Sequence, residues 1–60
     1  MTEFETIYES YINGQFKQMV KQVGDLGVYD FANCLEWVKE TYNCDDALKM
    51  AVIYLRILYR

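Results

Sequence analysis

Histidine and proline are absent from this chain of 60 residues, and its three glycines stand singly. Without histidine, the commonest general base of enzymes is missing. The two cysteines, Cys34 and Cys44, also have no histidine with which to form a metal site. Single glycines exclude the glycine-rich loops that bind phosphate, which need several glycines at fixed spacing. We therefore predict no enzyme activity, no bound metal and no cofactor.

Long hydrophobic runs and an excess of basic residues are lacking as well. The longest apolar run, from Met50 to Leu55, is far shorter than the roughly 20 residues that a membrane span needs. The first residues show no basic segment of the kind that begins a secretory signal. The net charge is −3, whereas nucleic-acid binders usually carry a basic surface. These features argue against membrane and nucleic-acid partners.

The sequence predicts that neither cysteine is oxidised or reactive. Cys34 and Cys44 lie along one predicted helix, about 13 Å apart by helical rise, which is too far for a disulfide. Reduced cysteines are typical of cytoplasmic proteins. Cys34 flanks an apolar stripe and is expected to be a small buried hydrophobe. The only serine, Ser10, is placed on the polar side of the first helix, with no base beside it.

The chain's most apolar stretch is its last, residues 45–60. Drawn as a helix, its charged residues fall on one narrow stripe, and the apolar arc covers roughly 260° of the circumference. A helix that is apolar nearly all round is buried in a core or an interface. The fold is therefore expected to be organised around this helix.

Three earlier segments each carry a single apolar stripe at i, i+3, i+4 and i+7 or similar spacing, which is typical of amphipathic helices. Thr2 and Glu5 match the capping box that begins a helix, and either Asp45 or Asn43 is expected to cap the last one. Gly14 and Gly24 are expected to end the first and second helices. The sequence predicts one all-α domain over residues 1–60, a compact bundle of four short helices at 1–12, 15–23, 28–42 and 45–60.

The last helix offers two apolar sides, of which the other helices are expected to cover one. We predict that the covered side carries Leu48, Val52, Leu55 and Tyr59. The other side then needs a neighbour, which predicts a homodimer through a surface formed by Met50, Tyr54, Ile57 and Leu58.

Aromatic residues make up 17% of the chain, more than the predicted stripes account for. Trp37 falls about 120° from the centre of its helix's stripe by helical geometry, and Tyr29 is equally hard to place inside. Tyrosine and tryptophan are favoured in protein interfaces. We predict a surface for a foreign protein partner at Tyr29, Asn33, Glu36, Trp37 and Glu40.

Short, acidic, tyrosine-rich, proline-free helical chains resemble the small accessory proteins of bacteriophages and mobile elements. This resemblance implies a non-enzymatic interaction module that binds and inhibits or redirects a larger host protein in the host cytoplasm. It rests on size and composition, so it assigns no residue. The acidic surface predicts a partner with a basic surface.

A DNA-binding transcriptional regulator is the alternative. Residues 16–39 have the helix, glycine-containing turn and helix of a helix-turn-helix motif. The second helix would meet phosphates and bases with its first residues, and these are Val28, Tyr29 and Asp30. Apolar and acidic side chains there do not suit a phosphate backbone.

Overall fold

Four helices form the whole of the regular structure in the computed structural model, which describes residues 2–59. They are α1 (Glu3–Ile12), α2 (Phe16–Leu26), α3 (Val28–Thr41) and α4 (Cys44–Leu58). Helix α2 contacts all three others, and α3 also lies against α4. The predicted all-α bundle is confirmed, although residues 1 and 60 of the predicted helices lie outside the described range. Within residues 2–59, no helix has the length and hydropathy to cross a membrane.

The predicted caps at the starts of α1 and α4 are present. The backbone N–H of Glu5 donates to Thr2 Oγ1 at 3.2 Å, and the N–H of Asp46 donates to Asn43 Oδ1 at 2.9 Å. Each bond satisfies a donor that a helix start otherwise leaves unpaired. Gly14 has a positive φ of 76° just after α1, which is the conformation in which glycine ends helices.

Helix α2 is longer than predicted, because Gly24 does not end it. The helix continues to Leu26, and Gly27, with φ 106° and ψ 148°, separates it from α3. A glycine inside a helix costs only about 1 kcal/mol. Val23 is buried and Leu26 packs against the core, so contacts on both sides of Gly24 hold this turn helical.

Every helix contributes to one hydrophobic core. In α1, α2 and α3 the buried residues come from the predicted stripes or flank them, as Cys34 does. The buried apolar side chains are Ile7, Met19, Val23, Phe31, Cys34, Val38, Ala47, Met50 and Tyr54.

Helix α4 presents to the core the side that we predicted to face outwards. Met50 is completely buried, and the ring of Tyr54 lies 4.8 Å from that of Phe31, centroid to centroid. Ile57 is half-buried, so of the four residues predicted for self-association only Leu58 is exposed. The orientation predicted for this helix is therefore wrong.

The side of α4 that was expected to be covered is exposed instead. Leu48, Val52, Leu55 and Tyr59 all face away from the core. The prediction failed because both halves of the helix are apolar, and periodicity alone does not decide which half the neighbouring helices cover.

Replacing Met50 by alanine tests this orientation. We expect Met50→Ala to lower the free energy of unfolding by about 2–5 kcal/mol, as buried large-to-small changes do. A domain of this size is stabilised by only about 3–5 kcal/mol, so much of the variant would be unfolded. Leu48→Ala, on the outer side of the same helix, is the control and should change stability by about 0.5 kcal/mol or less. Urea unfolding followed by circular dichroism measures the free energy of unfolding of both variants. A larger loss for Leu48→Ala than for Met50→Ala would mean that the side of α4 with Leu48 faces the core.

Candidate functional site

The most conspicuous exposed surface is a row of apolar side chains on α4. It consists of Leu48, Val52, Leu55 and Tyr59, and we call it the α4 stripe. Leu48 is 65% exposed, Leu55 51% and Tyr59 76%. The separations of four, three and four positions place these residues on one face, over about 17 Å of helix length. This spacing is that of the a and d positions through which helices pair in coiled coils.

Charged residues border the α4 stripe on one side only. Lys49 and Arg56 are exposed and lie about 40–60° around the helix from Val52. The other border consists of Ala51 and the exposed Leu58. The exposed Asp45 lies on the same side as these two cations, one turn before Lys49. The stripe thus has an edge that is basic from Lys49 to Arg56, after Asp45, and an apolar edge.

Most of the partner-binding residues predicted on α3 do share one exposed face. Tyr29, Asn33, Glu36 and Glu40 are exposed and follow one another at the same four, three and four spacing. They give this face an acidic and polar character. Whether it binds a protein stays a prediction.

Trp37, the fifth of these residues, is not an exposed anchor. It is half-buried, with its ring centroid 6.0 Å from that of Phe4 and 5.6 Å from that of Tyr42, which it meets edge-on. The side chain turns from the outer face of α3 towards α1 and packs against the core. Its role in this structure is to join α1 to α3.

The ends of α3 and α4 bring further exposed apolar groups together. The contact between Phe31 and Tyr54 places the first turn of α3 beside the last turns of α4. Val28 and Tyr29 are exposed there, at the same end of the helix pair as Tyr59. Three exposed apolar or aromatic side chains therefore lie at this end of the helix pair.

A cluster of polar side chains fixes the other end of α4. The hydroxyl of Tyr8 donates to Asp46 Oδ2 at 3.0 Å, and that of Tyr11 donates to Oδ1 at 3.2 Å. Asn43 Nδ2 also donates to Oδ2, at 3.3 Å. The ring of Tyr8 stacks on that of Tyr42 at 4.0 Å. The cluster links α1 to the start of α4 and to the end of α3.

This cluster is structural rather than catalytic. Burial, together with the hydrogen bond to Asp46 and its charge, raises the pKa of Tyr8 to about 12. The same causes raise the pKa of Tyr11. A tyrosine that acts as a base or nucleophile needs a lowered pKa, whereas these two stay protonated and serve as hydrogen-bond donors.

Ser10 and Cys34 are both buried. Ser10 is buried, contrary to its predicted exposure, because α2 covers it. Its hydroxyl donates to Gln22 Oε1 at 2.8 Å, and the Thr6 carbonyl lies 3.2 Å away as an alternative acceptor. Burial raises the pKa of the Cys34 thiol to about 11, so it is not a nucleophile near neutral pH. Across residues 2–59, no three acidic or cysteine side chains are arranged to hold a metal ion.

The described surface includes two open depressions. One, of about 400 Å³, lies among α1, α2 and the start of α3, and its rim includes Glu3, Asp25 and Asp30. The other, of about 490 Å³, lies between the start of α2 and Ile57. Both are shallow and face solvent, unlike the enclosed pockets of small-molecule sites.

The hydrogen bond from Tyr8 to Asp46 predicts a measurable loss in the variant Tyr8→Phe. We expect the free energy of unfolding to fall by about 1 kcal/mol and Tm by about 4–8 °C. The exposed Tyr29→Phe is the matched control and should leave Tm unchanged. An unchanged Tm in Tyr8→Phe would contradict the structural role of the cluster.

The raised pKa of Tyr8 also predicts a pH dependence. Because the folded pKa of about 12 lies above the ordinary value of 10.0, folding favours the protonated hydroxyl. Its contribution is complete below pH 10 and is lost as the pH rises from 10 through 12. Tyr8→Phe should therefore show a shallower loss of stability over this range than the wild type, as measured by urea unfolding at successive pH values.

No protein-family model matches this chain, and no curated protein or solved structure matches it either. No residue role is therefore transferred from another protein. The exposed faces of α3 and α4, with the charges beside them, are the features on which a function can be based.

Proposed function

We propose that this chain is a small non-enzymatic protein-interaction module that docks on a larger protein through the α4 stripe. The observation that carries the proposal is the continuous exposed row formed by Leu48, Val52, Leu55 and Tyr59. Single exposed apolar residues are common on any protein. A contiguous row along one helix is instead typical of interaction surfaces.

The contrast with the other helices supports this role for α4. The exposed faces of α1 and α2 carry mainly charged and amide side chains, and that of α3 carries the acidic row described above. These helices follow the usual pattern of an apolar side inwards and a polar side outwards. Helix α4 departs from this pattern along its whole length, because apolar side chains also line its outer side. Folding of the domain alone does not require these exposed apolar side chains.

Burial by a partner supplies the driving force. Covering a leucine side chain contributes about 1.5–3 kcal/mol, and two leucines and a valine lie in the α4 stripe. Tyr59 adds an aromatic ring with a hydroxyl, a type of side chain that often dominates binding energy. Tyr29 and Val28, at the same end of the domain, extend the contact area.

The size and composition of the chain favour a particular mode of action. As an accessory protein of a phage or mobile element, it would occupy a site on a host protein in the host cytoplasm and so inhibit or redirect it.

A homodimer through the α4 stripe is the second candidate, favoured by the heptad-like spacing of the stripe. The surface differs from the one predicted from the sequence, since Met50 and Tyr54 are buried within the chain.

The helix-turn-helix alternative has less support. The face of α3 that would meet DNA exposes Asp30, Glu36 and Glu40, which repel phosphate.

The variant Leu55→Asp tests the proposed function. Because Leu55 is half exposed, we expect the fold and Tm to be preserved within a few degrees. Binding to a partner would bury an unpaired carboxylate, which is costly. The affinity for a purified partner, first captured from host lysate by the wild-type chain, should fall at least 100-fold in titration calorimetry.

Ile12→Asp is the matched control, since Ile12 is also exposed, at 57%, but lies at the end of α1. It should retain wild-type affinity.

The proposal fails if no captured protein requires Leu55 for its binding. A monomer–dimer equilibrium in sedimentation that Leu55→Asp abolishes would favour the homodimer. A salt-dependent shift of labelled DNA would favour the regulator instead.

A further inference from the structure

We infer that the α4 stripe binds an amphipathic helix of a partner protein whose apolar residues are flanked by aspartate or glutamate. This inference rests on the proposed function and adds the chemistry of the partner. The depression with the acidic rim, the Asp46 cluster and the exposed Cys44 show no independent sign of a ligand.

The geometry of the α4 stripe fits a helix. Its residues repeat at four, three and four positions, so their side chains form a straight row of knobs about 17 Å long. An opposing helix of three turns presents holes at the same repeat. The stripe follows the exposed side of a single helix, so the contact is between two convex elements, as in paired helices.

The charges beside the stripe decide which helix fits best. Lys49 and Arg56 are exposed along one edge, in the position where paired helices form interhelical ion pairs. A partner with carboxylates at its flanking positions would be attracted there, and one with lysines would be repelled. The net charge of −3 predicts a basic partner, but the charge at the α4 edge has the opposite sign.

A second copy of this chain does not supply the required helix. In an antiparallel pair of α4 helices, the basic edges of the two copies face each other. In a parallel pair, each basic edge faces Ala51 and Leu58, which carry no charge, and Asp45 lies against Asp45. The acidic helix α1 has Ile7 and its apolar side buried in its own core, so it cannot turn that side to another copy.

Two synthetic peptides of three heptads test the inference. Both carry leucine at a and d, one has glutamate at every e and g position, and the other has lysine there. Like charges keep each peptide from pairing with itself at neutral pH. We expect the full-length chain to bind the glutamate peptide at least tenfold more tightly than the lysine peptide in 50 mM NaCl. Because salt screens such contacts, the difference should shrink in 500 mM NaCl.

Charge-reversal variants separate the local edge from the overall charge. Arg56→Glu and Lys49→Glu should each reduce the preference for the glutamate peptide at least threefold. Lys21→Glu makes the same change in net charge on the exposed side of α2 and should leave the preference as it is.

The outcomes distinguish the two proposals. Equal binding of both peptides, lost in Leu55→Asp, would overturn the acidic partner and leave the interaction surface intact. A preference that Lys21→Glu reduces as much as Arg56→Glu would also overturn it, because net charge would then suffice. Absence of binding by both peptides, together with self-association that Leu55→Asp abolishes, would identify a second copy as the occupant.

Discussion

The rotation of α4 about its own axis is the constraint on which the surface of this protein depends. The helix is apolar over most of its circumference, so hydrophobicity would allow either side to face the core. The hydrogen bonds from Tyr8 and Tyr11 to Asp46 and the ring contact between Phe31 and Tyr54 select one rotation. Turning α4 to bury Leu48 and Val52 would break both, and the half-buried Asp46 carboxylate would lose two of its donors.

The sequence was sufficient to predict which side of a helix faces the core where the helix has only one apolar side. In α1, α2 and α3 the predicted stripes face the core, and the caps at Thr2 and Asn43 are as expected. For α4 it did not decide the orientation, because the helix is apolar over most of its circumference and periodicity does not show which half the neighbouring helices cover. The pairing of Asp46 with tyrosines on another helix leaves no periodic signal.

Aromatic residues were also assigned too readily to binding. Their rings form a connected series across α1, the end of α3 and the start of α2, in the order Phe4, Trp37, Tyr42, Tyr8, Tyr11 and Phe16. Aromatic contacts of this kind are worth about 0.5–1.5 kcal/mol each beyond their buried area, which matters in a domain with so small a core. The position of Trp37 thus has a structural explanation, whereas the exposed leucines of α4 do not.

The proposed partner must be reconciled with an acidic chain. An acidic helix is repelled by the net charge of −3 at long range, yet attracted by Lys49 and Arg56 on contact. At physiological ionic strength, charges are screened over about 8 Å, whereas the domain measures 29 × 22 × 21 Å. Glutamates on the far faces of the domain are therefore largely screened from a helix on α4, while the two cations beside it are not. The local edge, rather than the net charge, governs which helix is accepted.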